Sequence, residues 1–224
     1  LTFAIDPLAV ADPTPLAELL AKQGCLKIFH ACSQDLEVLY QYCGQLPDPL
    51  FDTQIAGAML DMGYQIGYAE LVNRCLDMTI SKSQQFTDWC RRPLTAAQLE
   101  YATKEVSLLL RCYDDLLNRL QERDRLTWAM EDAGTCLTDF RRQVNDPPPA
   151  WQRIRGAGRF NAQQLGILNC LAEWRNAYAE SIDKPPRWIL DDKTLLELAR
   201  RQPSNCNELL QLSSIDAKAC QRWS

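Results

Sequence analysis

At 224 residues, 46% apolar and 24% charged, the chain is long enough for one large core or two small ones. It holds no run of about 18 apolar residues and no basic start leading into an apolar stretch, so neither a membrane span nor a secretory signal is expected. The net charge of −5 argues against an all-basic nucleic-acid binder, yet it is uneven. Residues 1–146 carry 13 Lys and Arg against 21 Asp and Glu, and residues 147–224 carry 11 against 8. An acidic half can hold cations and a basic half can touch phosphates.

Leu1–Ile5 reads as a short buried strand ended by Asp6-Pro7, and a chain opening inside a strand is expected to start further upstream. Residues 14–23 predict a helix with Thr14 as cap and Pro15 in its first turn. Leu26–Phe29 predicts a second strand. Ser33 then caps a helix carrying Leu36, Leu39, Tyr40 and Cys43, which Gly44 closes. An extended stretch ends at Phe51, and helices follow over 53–62 and 67–77.

Thr95 and Gln98 have the spacing of a capping box. Leu99, Ala102, Val106, Leu109, Tyr113, Leu116 and Leu120 then recur at helical spacing, which predicts one long helix with this stripe in the core. A further helix covers 124–143. Pro147-Pro148-Pro149 cannot continue it, so the boundary is placed there: a first domain over 1–143, a proline-rich linker over 144–150 and a helical domain over 151–224. In the last, helices are expected over 162–180, from Asp191 or Asp192 to Arg200, around Glu208–Leu212 and from Ser214. Lys184–Arg187 is expected to be a loop.

The ten cysteines are scattered and form no Cys-x-x-Cys, and there is one histidine. They read as free thiols of a reducing cytoplasm and not as a disulfide scaffold or a zinc site. Three other side chains carry candidate chemistry. Asp35 falls in the first turn of a helix, where the helix dipole favours a carboxylate. Tyr101 and Glu105, four apart, share one side of a helix beside the core stripe and together could order a water and bind a cation. Asp35-Leu36-Glu37 spells Asp-x-Glu, but on a helix those carboxylates point about 200° apart and cannot grip one metal. Each feature alone has a plain structural reading: a helix-start acid, a core-edge tyrosine, a solvated glutamate.

In combination they say more. His30-Ala31-Cys32-Ser33-Gln34-Asp35-Leu36-Glu37-Val38-Leu39 resembles the second exonuclease motif of the ribonuclease D family, and Phe51-Asp52-Thr53-Gln54 resembles its next signature. Lys82-Ser83, Thr87-Asp88-Trp89, Arg92-Pro93-Leu94-Thr95, Gln98 and Tyr101-Ala102 resemble the approach to the third motif. Ala150–Arg153, Trp174-Arg175, Pro186-Arg187, Ile189–Asp192 and Leu209–Leu212 are similar to a helicase-and-RNase-D C-terminal (HRDC) domain.

The resemblance implies an α/β fold, a ribonuclease H-like mixed sheet that is N-terminally incomplete here, plus an all-α HRDC-like bundle. It implies a 3′→5′ exoribonuclease that trims RNA 3′ ends in transfer-RNA maturation, using two divalent ions, Mg²⁺ or Mn²⁺. Asp35 matches the second-motif acid and metal ligand, and Tyr101 the water-orienting tyrosine. Glu105 stands where the family has Asp, a catalytic and metal-binding position. The family's strand-borne Asp-x-Glu has no counterpart in this sequence. Impaired turnover is therefore expected, and a non-catalytic RNA-binding or regulatory remnant is the alternative. Arg153, Arg155, Arg159, Arg175, Lys184 and Arg187 are the candidate RNA contacts, with transfer-RNA precursors the implied partner. A protein-binding adaptor is a third reading of the HRDC-like half.

Overall fold

The computed structural model describes residues 2–80, 84 and 86–210. The chain divides into two compact units, Leu1–Asn145 and Asp146–Ser224, at the head of the proline run.

The first unit is built on a β-α-β crossover. Strand β1 (Lys27–Phe29) leads through helix α2 (Ser33–Cys43) to strand β2 (Leu50–Asp52). The strands are parallel, with Lys27 opposite Leu50, Ile28 opposite Phe51 and Phe29 opposite Asp52. A parallel pair needs such a crossover, and both its faces are covered. Alternation along β2 shows this. Leu50 packs with Cys32, Leu36, Leu46, Ala133 and Leu137. Phe51 packs with Leu71, Val72, Cys112, Leu116 and Leu120, its ring edge-on to Tyr113 at 4.9 Å. Lys27 is buried at the start of β1. Its ammonium is caged by the carbonyls of Lys22, Cys25 and Asp48 at 2.9, 2.8 and 2.6 Å, which ties helix α1 (Thr14–Ala21) and the approach to β2 to the sheet.

Helices α3 (Thr53–Met59), α4 (Tyr68–Leu76), α5 (Ala96–Ser107), α6 (Leu109–Glu122) and α7 (Leu126–Asn145) complete this unit. Several expectations are corrected. Residues 2–5 form no strand, and Phe3 and Ile5 are exposed, because no described strand lies beside them to complete a ladder. The long helix expected from Thr95 to Leu120 breaks at Leu108 (φ −96°, ψ −10°) into α5 and α6. Of its apolar stripe only Leu116 and Leu120, on α6, are fully buried; Leu99 and Val106 are exposed. Thr14 and Ser33 do not cap through their side chains; the Asp12 carboxylate accepts from the Thr14 amide instead.

In the second unit, short 3₁₀ turns at Ala150–Arg153 and Ala157–Arg159 precede α8 (Ala162–Ser181), α9 (Pro186–Ile189), α10 (Asp192–Arg201) and α11 (Cys206–Leu210). Asn161 and Gln164 form a capping box on α8, and the Asp191 carboxylate caps α10 by accepting from the Thr194 amide at 2.7 Å. The core joins Ile154, Ala157, Leu168, Ala172, Leu190, Leu195, Leu198 and Ala199. Pro186 starts α9 where a loop was expected, proline being suited to a helix's first turn. The helix expected from Ser214, the Lys82-Ser83 pair and Gln211-Leu212 lie outside the described residues.

Arg175 is the charged member of this core. Its guanidinium donates to the Leu190 carbonyl at 3.0 Å and to Asp192 at 2.9 Å. Replacing it with alanine is expected to remove about 3 kcal/mol from the second unit, because the Leu190 carbonyl loses a buried donor and Asp192 keeps only the exposed Arg187. Urea unfolding of the R175A variant measures this, and a loss below about 1 kcal/mol would show that solvent replaces the guanidinium.

Candidate functional site

The turn from β1 into α2 and the end of β2 meet on one carboxylate. Asp52 is 4% exposed, and its Oδ1 accepts from the amides of Ala31, Gln54 and Ile55 at 3.1, 2.7 and 3.4 Å. Its Oδ2 accepts from the Cys32 amide at 2.8 Å. One side chain thus caps α3 and fixes the turn that launches α2, where Ala31 adopts a left-handed φ of 58°. Asp35 follows in the first turn of α2, at an exposed position. Its carboxyl is raised above the usual range by partial desolvation and then by the negative charge of Asp52.

The other candidate pair lies on α5. Thr95 and Gln98 form the expected capping box. The face of α5 turned inward is polar: Gln98 is buried, and Tyr101 and Glu105 follow it at helical spacing and are half-buried. The neighbouring Glu105 carboxylate, and then partial burial, push the Tyr101 phenol up to about 12, so it stays protonated at any working pH. The Trp89 ring lies 6.1 Å from that of Tyr101.

His30 was not singled out from the sequence. Its Nδ1 lies 3.0 Å from Thr53 Oγ1, and its ring is tilted 5.5 Å from Tyr68. Burial holds its pKa below the ordinary range, opposed by the nearby charge of Asp52, the Ile66 carbonyl and the charge of Glu105. The same imidazole therefore senses the Asp52 side and the Glu105 side. A histidine depressed in the folded chain binds fewer protons than in the unfolded chain. Its stability contribution is present above the unfolded value of about 6.5 and is lost as pH falls. The melting temperature of the first unit is expected to drop from pH 7 to pH 5, and His30→Gln to flatten that slope in calorimetry. Equal slopes would remove His30 from the argument.

The structure thus places Tyr101 and Glu105 on the half-buried side of α5, and Asp35 in the helix turn that Asp52 anchors through the Ala31 and Cys32 amides. Among the described residues, no three His, Cys, Asp or Glu side chains stand close enough to share a metal ion. The nine described cysteines are free thiols. No described helix is long and apolar enough to cross a membrane.

In the second unit Arg153, Arg155, Arg159, Lys184 and Arg187 are exposed. Arg175 is not: it is 7% exposed and spent on Leu190 and Asp192, which withdraws it from any phosphate-binding surface. The sequence reading also missed a cleft of about 560 Å³ lined by Arg155, Lys193, Leu196, Arg200 and Arg201 together with Asp192 and Glu197. Both acids are engaged, Asp192 by Arg175 and Arg187, and Glu197 by Arg201. Lys193, Arg200 and Arg201 lie on one helix at spacings of seven and eight, so a helical charge plot would have found them.

Comparison with known proteins adds to this geometry. A 3′-5′ exonuclease family model matches residues 2–121, and an HRDC domain model matches residues 164–223. Ribonuclease D of Shewanella sp. (strain ANA-3) is 39% identical over 211 residues, covering 94% of this chain and 54% of that protein. The crystal structure of Escherichia coli RNase D, described as an exoribonuclease involved in structured RNA processing, superposes with a TM-score of 0.85 at 31% identity. That match covers 97% of this chain and 57% of the other. Brucella melitensis NrnC with bound Mg²⁺ superposes with a TM-score of 0.54 at 29% identity, covering 65% of this chain and 69% of the other. The chain spans about half the length of the curated relatives it matches.

Proposed function

Because the chain belongs to the 3′-5′ exonuclease family, we propose that it serves the hydrolytic trimming of RNA from the 3′ end, releasing nucleoside 5′-monophosphates, with transfer-RNA precursors as the substrate class. The observation that carries this reading is the placement of Tyr101 and Glu105 four apart on the half-buried, polar side of α5. A protonated phenol keeps its oxygen lone pairs available as acceptors. It can accept a hydrogen from a water and so aim that water's own lone pair at phosphorus. Orientation of this kind is worth several powers of ten in rate.

Asp35 and Glu105 are oxygen donors of the type that Mg²⁺ and Mn²⁺ prefer. When bound, such ions would supply water activation and stabilisation of the leaving oxygen. The described carboxylates do not form a closed set of ligands, so no step is derived through a metal. That same observation favours a second reading, RNA binding without turnover.

In both readings the second unit holds the RNA backbone through Arg153, Arg155, Arg159, Lys184 and Arg187, with Lys193, Arg200 and Arg201 around the cleft beside Arg155. Contacts of this kind position RNA without reading its sequence. The deciding experiment is single-turnover degradation of a 5′-labelled RNA with a single-stranded 3′ end, in Mg²⁺ or Mn²⁺, by the protein and its Y101F variant. Stepwise 3′ shortening that Y101F slows by about 10² supports the enzyme. Tight, salt-sensitive binding with intact RNA supports the second reading, with log Kd rising by about 0.7 per phosphate contact for each tenfold increase in salt.

A further inference from the structure

Gln98 is the buried polar residue of α5, and all its hydrogen-bonding atoms are used. Its Oε1 accepts from the Thr95 amide at 3.0 Å and the Thr95 hydroxyl at 3.1 Å, which is the capping box. Its Nε2 does something a cap does not need. It donates to Thr87 Oγ1 and to the Asp88 carbonyl, both at 3.1 Å, and so grips the loop that precedes the helix. The far end of that loop is gripped separately. The Arg92 guanidinium makes a two-pronged pair with Asp6, at 2.6 and 2.8 Å, and also donates to the Trp89 carbonyl at 2.7 Å. Between the two grips stands Trp89, whose ring lies 6.1 Å from Tyr101, within the range of a specific aromatic contact. Gln98 and Tyr101 lie three apart on one face of the helix.

We propose that Gln98 and Arg92 are positioning residues that clamp the 87–92 loop so that Trp89 packs against Tyr101 and fixes the direction of its phenol. The proposal rests on Tyr101 being the water-orienting group, but the clamp itself is a statement about geometry and can be read without catalysis. A tyrosine ring on a helix keeps freedom about its own side-chain bonds. The ring needs a packing contact to hold one orientation. Trp89 supplies that contact, and a loop tip gains a fixed position only from bonds such as those of Gln98 and Arg92.

The test separates the two jobs of Gln98. Gln98→Glu keeps the acceptor oxygen, and glutamate is itself a standard residue of the capping box. It removes the Nε2 donor. Arg92→Gln loosens the loop from its other end and leaves α5 untouched, so it stands even where Gln98→Glu fails to fold. The readouts are NMR contacts between the Trp89 and Tyr101 rings, the RNA dissociation constant, and the single-turnover rate.

Both variants are expected to lose the ring contacts, keep RNA affinity and lose about tenfold in rate. Retained ring contacts in both variants overturn the clamp. Lost contacts with an unchanged rate support the clamp and overturn Tyr101 as the water-orienting group. If the parent cleaves nothing, the enzyme reading falls, and the ring contacts alone decide the clamp.

Discussion

Asp52→Ala is expected to remove about 3–5 kcal/mol from the first unit, the sum of a lost helix cap and of buried amides left without an acceptor. Few side chains in that unit do as much: one carboxylate accepts four backbone amides from two turns that are some twenty residues apart in sequence. Alanine leaves the amides of Ala31 and Cys32 without their acceptor, and the Cys32 amide is buried.

Asparagine is not a neutral substitute either. Its single oxygen can keep the three bonds made by Oδ1, but its amide nitrogen then faces the Cys32 amide, donor against donor. Asp52→Asn is expected to lose about 1.5–3 kcal/mol, in keeping with a hydrogen bond to a charged group. The consequence reaches Asp35, whose carboxyl is raised partly by the Asp52 charge. In Asp52→Asn its titration should move down towards the ordinary carboxylate range. Urea unfolding gives the first quantity, and carboxyl-carbon NMR titration of Asp35 gives the second. A loss under about 1 kcal/mol in the alanine variant would show that the turn carries its own stability.

The same residue explains why the sequence revealed some of this fold and hid the rest. Local signals read well: the Thr95–Gln98 capping box, Gly44 in the left-handed conformation after α2, and the aspartate at the head of α10 all follow from short-range chemistry. Asp52 acts on amides some twenty residues earlier, and no local pattern announces that. Ser33 looked like the cap of α2 because serine commonly is one, yet the turn was already held from β2.

The stripe of α5 misled for a related reason. Leu99, Ala102 and Val106 repeat at helical spacing, but the helix presents Gln98, Tyr101 and Glu105 inward because the 87–92 loop offers polar partners there. Periodicity reports which residues share a face and is silent about which face is covered. Arg175 shows the same limit. An arginine in a positive half reads as a phosphate contact until the fold supplies a carbonyl and a carboxylate that claim it.

Glu105→Asp is expected to raise the single-turnover rate by up to about 10², the size of effect that a placement error near 1 Å produces. Aspartate is one methylene shorter, so its carboxylate withdraws by about 1.5 Å toward the α5 backbone. Two things then change together. The carboxylate shortens its reach from α5, and the Tyr101 phenol loses part of the Glu105 influence that is the first cause of its raised pKa. The phenol should titrate below about 12 in the variant, seen as the tyrosinate absorbance that Tyr101→Phe removes.

RNA affinity should not move, since the proposed phosphate contacts all lie in the second unit. Tyr101→Phe should lower the rate by about 10² in the parent and by more when combined with Glu105→Asp, because neighbouring groups that act on one water are not additive. Identical rates for the parent and Glu105→Asp would mean that the longer side chain already reaches a productive position through another rotamer. If Tyr101→Phe also left the rate unchanged, the two residues on α5 would be an ordinary helix-surface pair and no part of the chemistry.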